Sequence, residues 1–283
     1  MQLYFPHINT RQGAISMFDY IVSCRDSEAQ NVIFNSDLNL EYTEHLAGGL
    51  ERLTIDTPLN GPEVASFIGF LFSNWSIDNG QMFQDLYVLW KLQNKTNGTF
   101  VEIGTGWPSG LNNTWFLESR KNWKGVLVEP NPKFHKAINL ERKSPLEVIA
   151  IHTSSNEELT FVVPNGYDPS GFVELDSEDS FSRGKINSKD KFTVKTLTMV
   201  DLLSKYNINK QFDYLSFDTT GNKNDIKSIE SMINNGYTPK IITIGHNFKS
   251  HRNEMKDMLK SHGYVREFEF LSRFDDWYFL DNE

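Results

Sequence analysis

The chain has 283 residues, 39% of them hydrophobic and 13% aromatic, which suits one large packed domain and excludes a disordered chain. It carries 28 Lys and Arg against 37 Asp and Glu, a formal net charge of -9, so the basic footprint that nucleic-acid binding needs is missing. Cys24 is the only cysteine, which excludes an intramolecular disulfide and a cysteine-based zinc site, and no clustered carboxylates or histidines declare another metal.

Residues 1–10 carry Pro6 and His7 and no uninterrupted apolar run, so they do not read as a signal peptide. The longest apolar stretch, 64–72, is too short to span a bilayer, and the expected location is cytoplasmic, with no membrane partner. Residues 1–80 form an irregular extension with amphipathic stretches at 13–24 and 62–75, a helical cap or substrate-side lid.

From residue 81 the pattern is regular. A helix is expected over 82–91, followed after Asn97-Gly98 by a buried strand over 99–103. Further buried strands fall at 126–128, 148–151, 214–217 and 241–244. Helical patterns separate them at 113–121, 132–142, 199–206, 224–234 and 252–262. This alternation predicts an α/β domain over 81–283, a mostly parallel sheet covered by helices on both faces. A polar, Pro- and Gly-rich insertion at 164–191 interrupts it, and two strands at 264–270 and 277–280, joined by a turn near 273–276, end it as an antiparallel hairpin. That ending is the layout associated with a Rossmann-like class I methyltransferase fold.

The candidate site follows from the strand ends. Glu102-Ile103-Gly104-Thr105-Gly106 closes the first strand in a glycine turn, where the missing Cβ atoms let the backbone bend sharply and approach a ligand. Its spacing, G-x-G-x-x-x-G through Gly110, differs from the G-x-G-x-x-G of a dinucleotide fingerprint. Glu129, at the end of the next strand and before Pro130, is placed to accept the two hydroxyls of a ribose. Asp218 ends the fourth strand and suits a base, a ligand contact or a helix cap. His152 follows the third strand, towards the adenine side, and His246 follows the fifth, as a base for a hydroxyl acceptor.

Several ordered motifs resemble the FkbM-type methyltransferase family. Gln81-Met82-Phe83-Gln84-Asp85-Leu86-Tyr87-Val88 is similar to its Q-x-x-Q-D-x-x-V, and Asn113-Thr114-Trp115-Phe116-Leu117-Glu118 to N-T-x-x-L-E. Trp123 to Pro132 resembles W-x-G-x-x-x-E-P-N-P, residues 194–203 resemble V-x-T-x-x-L-D-D-L-L, and residues 213–218 resemble D-x-L-S-I-D. The resemblance covers about 81–280. It implies S-adenosylmethionine as cofactor and O-methylation of a sugar, glycan or other small hydroxyl-bearing acceptor. The expected cofactor-side set is Glu102, Gly104, Thr105, Gly106, Asn113, Glu129, Pro130, His152 and Asp218, of which the resemblance carries Glu102, Gly104, Glu129 and Asp218; Asp218 and His246 are the catalytic candidates. The chain departs from the family where a strand-five Glu is replaced by Gly245, where Asp is absent after the glycine turn, and where Thr220-Gly221 stands in place of Glu-Gly after Asp218. A catalytically degenerate binder of cofactor or glycan and an NAD-dependent oxidoreductase are the alternative readings.

Overall fold

The computed structural model describes residues 82–162, 171–172, 191–219, 223–272 and 275–281, with positions 63, 66, 67, 70, 71, 74 and 80. Helix α1 (Gln84–Lys91) leads into β1 (Thr99–Ile103), then α2 (Trp115–Lys121), β2 (Lys124–Val128) and α3 (Pro132–Glu141). Local chemistry sets these boundaries. Asn131 caps α3 by accepting from the Lys133 amide, with Pro132 in the first turn, where its missing N–H costs nothing. Asn122 ends α2 in a left-handed conformation, and the Trp123 amide returns to the Leu117 carbonyl. The chain continues through β3 (Leu146–Glu147), β4 (Ala150–Ile151), β5 (Glu158–Val162), β6 (Gly171–Phe172), β7 (Lys191–Leu197), α4 (Met199–Lys205) and β8 (Tyr214–Phe217). It closes with α5 (Lys223–Asn234), β9 (Ile241–Gly245), α6 (Arg252–Ser261), β10 (Tyr264–Glu267), α7 (Glu269–Ser272) and β11 (Asp275–Leu280).

Seven strands form one sheet in the order β10-β11-β9-β8-β1-β2-β3. All pairings are parallel except those of β11, which runs antiparallel between β9 and β10. This is a Rossmann-like sheet with the class I methyltransferase layout of strands. The chain works outward from β1 to β3, then returns to lay β8 on the other side of β1. The β1–β8 boundary is therefore the topological switch point, where ligands bind beyond the carboxyl ends of strands.

Both faces are covered, as a parallel sheet requires. On one, Phe100, Leu127, Tyr214 and Trp277 pack against Tyr87 of α1 and Phe116 and Leu117 of α2. On the other, Val101, Val126, Leu215 and Ile242 meet Leu202 of α4, Ile229 of α5 and Leu259 of α6. The first face is rich in aromatics: Tyr87 stacks on Trp277 at 4.8 Å between ring centroids, and Phe67 lies 4.6 Å from Phe268. Such pairs contribute about 0.5–1.5 kcal/mol each beyond their burial. Phe67 and Leu71, helical and fully buried, belong to this core, so these two positions of the N-terminal extension complete the domain rather than decorate it. Apart from 63, 66, 67, 70, 71, 74 and 80, positions 1–80 lie outside the described residues.

Three sequence expectations change. The strand expected at 148–151 splits: Leu146–Glu147 joins the main sheet beside β2, while Ala150–Ile151 pairs with β7 in a second sheet of order β4-β7-β5-β6. Val148, 50% exposed between the two pieces, marks the break. The insertion is bounded by an antiparallel β5–β7 ladder that was not among the expected strands, and β6 adds to it. Its positions 164–170 and 173–190 lie outside the described residues. At the C-terminus, Phe268 adopts φ 50°, which stops β10 at Glu267, and α7 replaces the simple turn. Strand β11 accordingly begins at Asp275, not at Trp277.

Candidate cofactor and reaction site

The pairing registers align one row of residues along the carboxyl edge of the sheet. Asp275 pairs with Gly245; Ile244 pairs with Phe217, Phe217 with Ile103, and Ile103 with Val128. One residue further along each parallel strand, the row reads Asp275, Gly245, Asp218, Gly104, Glu129. Strand alternation puts all five on the same face. Three carboxyl groups are thus spaced by two glycines.

The glycines are there for room. A Cβ on Gly104, whose φ is 83°, would lie 1.9 Å from the Asp218 carbonyl oxygen. Gly104 therefore lets the two strand ends close on each other at the switch point. Gly106 differs: its φ is 58°, and a Cβ there would meet nothing within 4 Å, so its backbone borders open space.

Glu129 is 3% exposed and anchors that backbone. Its Oε2 accepts the Gly106 amide at 2.8 Å and its Oε1 the Asn131 amide at 2.7 Å. Each carboxylate oxygen keeps a second lone pair, so the group retains capacity for two hydroxyl donors. Burial pushes its carboxyl up to about 7, the two amides oppose the shift, and the charges of Glu102 and Asp218 add to it.

Behind the turn lies a buried ionic network that the sequence reading missed. The Arg142 side chain is fully buried and donates to Glu118 Oε2 (2.8 Å), Thr114 Oγ1 (2.7 Å), Asn112 Oδ1 (3.1 Å), the Pro108 carbonyl (3.2 Å) and Glu102 Oε2 (3.4 Å). Asn112 donates to the carbonyls of Thr105 and Trp107 and to Glu102, while its Oδ1 accepts the Thr114 and Trp115 amides that open α2. Burial raises the Glu102 carboxyl against the pull of Arg142. Burial acts upward on Glu118 too, but Arg142 and the Ser144 and Lys143 hydrogen bonds outweigh it and hold this carboxyl below its ordinary range. Glu102 thus shapes the turn from beneath, through Asn112 and Arg142.

The other expected residues sort by contact. Thr105 is buried, its hydroxyl donating to the Val128 carbonyl at 3.4 Å, and Asn113 donates to Ser216 Oγ at 3.1 Å. Pro130 is half-buried beside Glu129. His152 follows β4, in the second sheet; its amide donates to Leu197, and its Nδ1 lies 3.6 Å from Glu157. His246 is 5% exposed, its Nε2 lies 3.1 Å from the Asp275 carbonyl, and its Nδ1 accepts the Phe248 amide at 3.0 Å. That pattern is a neutral imidazole with Nε2 protonated and both ring nitrogens engaged. It holds the β9 loop, where Asn247 and Phe248 are successive left-handed residues.

Asp218 is half-buried at the end of β8, and its carboxyl is raised by burial and then by the charge of Glu102. Asp275, 2% exposed, is raised well above the usual carboxylate range by burial and by Asp218. Its Oδ2 accepts from Gln84 Nε2, and Gln84 is itself held by the Met82 amide on its Oε1. Neither Asp275 nor Arg142 stood out in sequence: one sat in an expected turn, the other at a helix end where a solvated cation is ordinary.

These shifts fix a pH dependence. Glu102, Glu129, Asp218, Asp275 and Glu267 hold their protons more tightly folded than unfolded. Between the ordinary carboxylate range and about pH 7 the unfolded chain has released protons that the folded one keeps, so stability falls as pH rises through that window. Calorimetric melting is expected to give a higher Tm near pH 5.5 than near pH 8. An equal or lower Tm at the acid end would contradict the assignment.

No protein-family model matches the chain, and no curated protein sequence matches it. Solved structures do. It is similar to precorrin-6y C5,15-methyltransferase from Geobacter metallireducens GS-15, at 12% identity and a TM-score of 0.35 over 65% of this chain and 71% of that one. It is also similar to the METTL16 methyltransferase domain, at 12% identity and a TM-score of 0.37 over 92% of this chain and 90% of that one. No helix among the described residues is long and apolar enough to cross a membrane.

Proposed function

We propose that the chain is an S-adenosylmethionine-dependent O-methyltransferase of FkbM type, acting on a hydroxyl of a sugar, glycan or comparable small molecule. The observation that carries the reading is Glu129, a buried carboxylate at the end of β2 that shares its oxygens with the Gly106 amide beside open space. The fit to the cofactor is chemical as well as topological: Glu129 keeps acceptor capacity for two ribose hydroxyls, and Gly106 leaves room for the nucleoside. Gly104, Thr105, Asn113, Pro130 and His152 complete the proposed cofactor side.

Bound S-adenosylmethionine supplies an already activated methyl group. The protein's task is then to align an acceptor oxygen, exclude water and remove one proton. Asp218, half-buried at the switch point, is the proposed base. His246, with both nitrogens engaged, serves instead to hold the β9 loop around it. The missing strand-five Glu does not empty the reaction side of carboxylates, because Asp275 reaches the Gly245 position from β11. This favours an enzyme over a degenerate binder. The antiparallel β11 and the glycine spacing favour S-adenosylmethionine over NAD.

Calorimetric titration of the full chain with S-adenosylmethionine, S-adenosylhomocysteine and NAD tests the reading. The first two are expected to bind. Glu129→Ala removes two charge-assisted hydrogen bonds worth about 1.5–3 kcal/mol each, a weakening of roughly a hundredfold or more. Absence of binding by both adenosyl ligands, or tighter binding of NAD, would overturn the proposal.

A further inference from the structure

We propose that Asp218 and Asp275 act as one proton-sharing pair across Gly245, and that this pair receives the hydroxyl proton of the acceptor; its role as base rests on the methyl-transfer reading above. Asp275 is the residue this adds to the site.

Geometry brings the two together. Gly245 lies between them in the sheet, paired with Asp275 on one side and next to Asp218 on the other. The point where a Gly245 Cβ would sit is 2.9 Å from Asp218 Oδ1 and 3.6 Å from Asp275 Oδ1. The two oxygens therefore converge on the space that glycine leaves. Asp275 Oδ2 is satisfied by Gln84, but its Oδ1 is buried and has no hydrogen-bond partner among the described residues. A buried carboxylate oxygen left unpaired is costly, and a proton held between the two carboxyl groups removes that cost.

Among the described residues, the groups whose charges act on the pair are Glu102 on β1, Glu129 beyond β2 and Asp276, all acidic; the His246 ring nitrogens lie against the Asp275 carbonyl and the Phe248 amide, with Asp276 Oδ1 3.9 Å from Nε2. Asp276 alternates to the other face of β11 and is taken by Arg252 and Arg266. Among the described residues no Lys or Arg forms an ion pair with Asp218 or Asp275. Two such carboxylates do not both ionise readily, so the last proton to leave the pair is held more tightly than by an isolated aspartate, and the pair that has released it is the stronger base. Asp218, the more exposed member, meets the acceptor; Asp275 holds and positions the shared proton. The balance is simple. The acceptor oxygen bonds the methyl carbon as the carbon–sulfur bond breaks with its electron pair left on sulfur, and the O–H proton passes to Asp218.

The test is a pH titration of the full chain, labelled with carbon-13 at the aspartate side-chain carboxyls and followed by NMR without cofactor. Wild type is expected to show two linked transitions, one displaced upward. In Asp275→Asn, which keeps an acceptor for Gln84, the Asp218 transition is expected to fall by about one pH unit or more. Asp218→Asn reads the same coupling from the other side and serves if the first variant does not fold. The acid limb of kcat/KM is expected to move down by the same amount in Asp275→Asn, with S-adenosylmethionine affinity kept within about threefold. Independent, ordinary titration of both carboxyls would overturn the pair. A coupled titration with an unmoved acid limb would overturn its role as base. Failure of wild type to bind S-adenosylmethionine would overturn methyl transfer, and the base role with it, while the NMR result would still decide the shared proton.

Discussion

Arg142→Met is expected to lower the unfolding free energy by about 3–5 kcal/mol, the usual cost of removing one partner from a buried ion pair. The methionine fills similar length but donates nothing. Glu118, Glu102, Asn112 Oδ1, Thr114 Oγ1 and the Pro108 carbonyl would each lose a donor in a site whose centre is fully buried. Glu118, now held below its ordinary range by that guanidinium, is expected to titrate upward in the variant. Scanning calorimetry should register a fall in Tm of roughly 10 °C. A cycle with Glu118→Gln should show coupling, with the double variant recovering part of the loss because the stranded charge is gone. A loss below about 1 kcal/mol would mean that the network is solvated in solution and does not carry the glycine turn.

The second large effect falls on turnover. Asp218→Asn is expected to reduce kcat by about 100- to 10,000-fold, the range associated with removing a positioned base. The amide is close in size to the carboxyl, so it fits the same space beside Gly245. Binding of S-adenosylmethionine should stay within about threefold, since Glu129 and the Gly106 turn carry the nucleoside in the proposed site. Steady-state rates on a panel of sugar acceptors, alongside calorimetric affinities, separate the two quantities. Activity within tenfold of wild type would remove Asp218 as the base; a matched loss of cofactor affinity would make it a binding residue.

The two effects meet at one place. Arg142 and Asn112 hold the glycine turn from beneath, while Asp218 and Asp275 close the reaction side of the same strand row. Placing Glu102 under the turn, within the Arg142 network, explains why the motif Asn113-Thr114-Trp115-Phe116-Leu117-Glu118 follows it closely in the chain. Asn113 ties to Ser216 of β8, Thr114 receives Arg142, and Glu118 balances it. These residues support the site from behind, while Glu129 and the open flank of Gly106 carry the main proposed contacts to the nucleoside.

Local signals determined much of this architecture. Helices α1 to α6 follow from apolar periodicity, capping residues such as Asn131 and Thr198, and stops such as Asn122. Strands β1, β2, β8 and β9 follow from short apolar runs ended by glycine or a carboxylate. Each of these signals acts within about one turn of helix or one strand, so a single sequence holds it complete. Glu129, Asp218, Gly104 and Gly106 were legible for the same reason: their position at a strand end follows directly from where the run stops. What the sequence left open depends on contacts between distant segments. The break after Leu146–Glu147 depends on β7 competing for Ala150–Ile151, and an apolar run cannot name its partner. His246 looked like an available base because its two backbone partners, Asp275 and Phe248, are set by the loop and by β11. Arg142 and Asp275 were silent because burial, and not residue type, gives a charge its consequence. Only the folded sheet desolvates them, and only its register sets Asp275 across one glycine from Asp218.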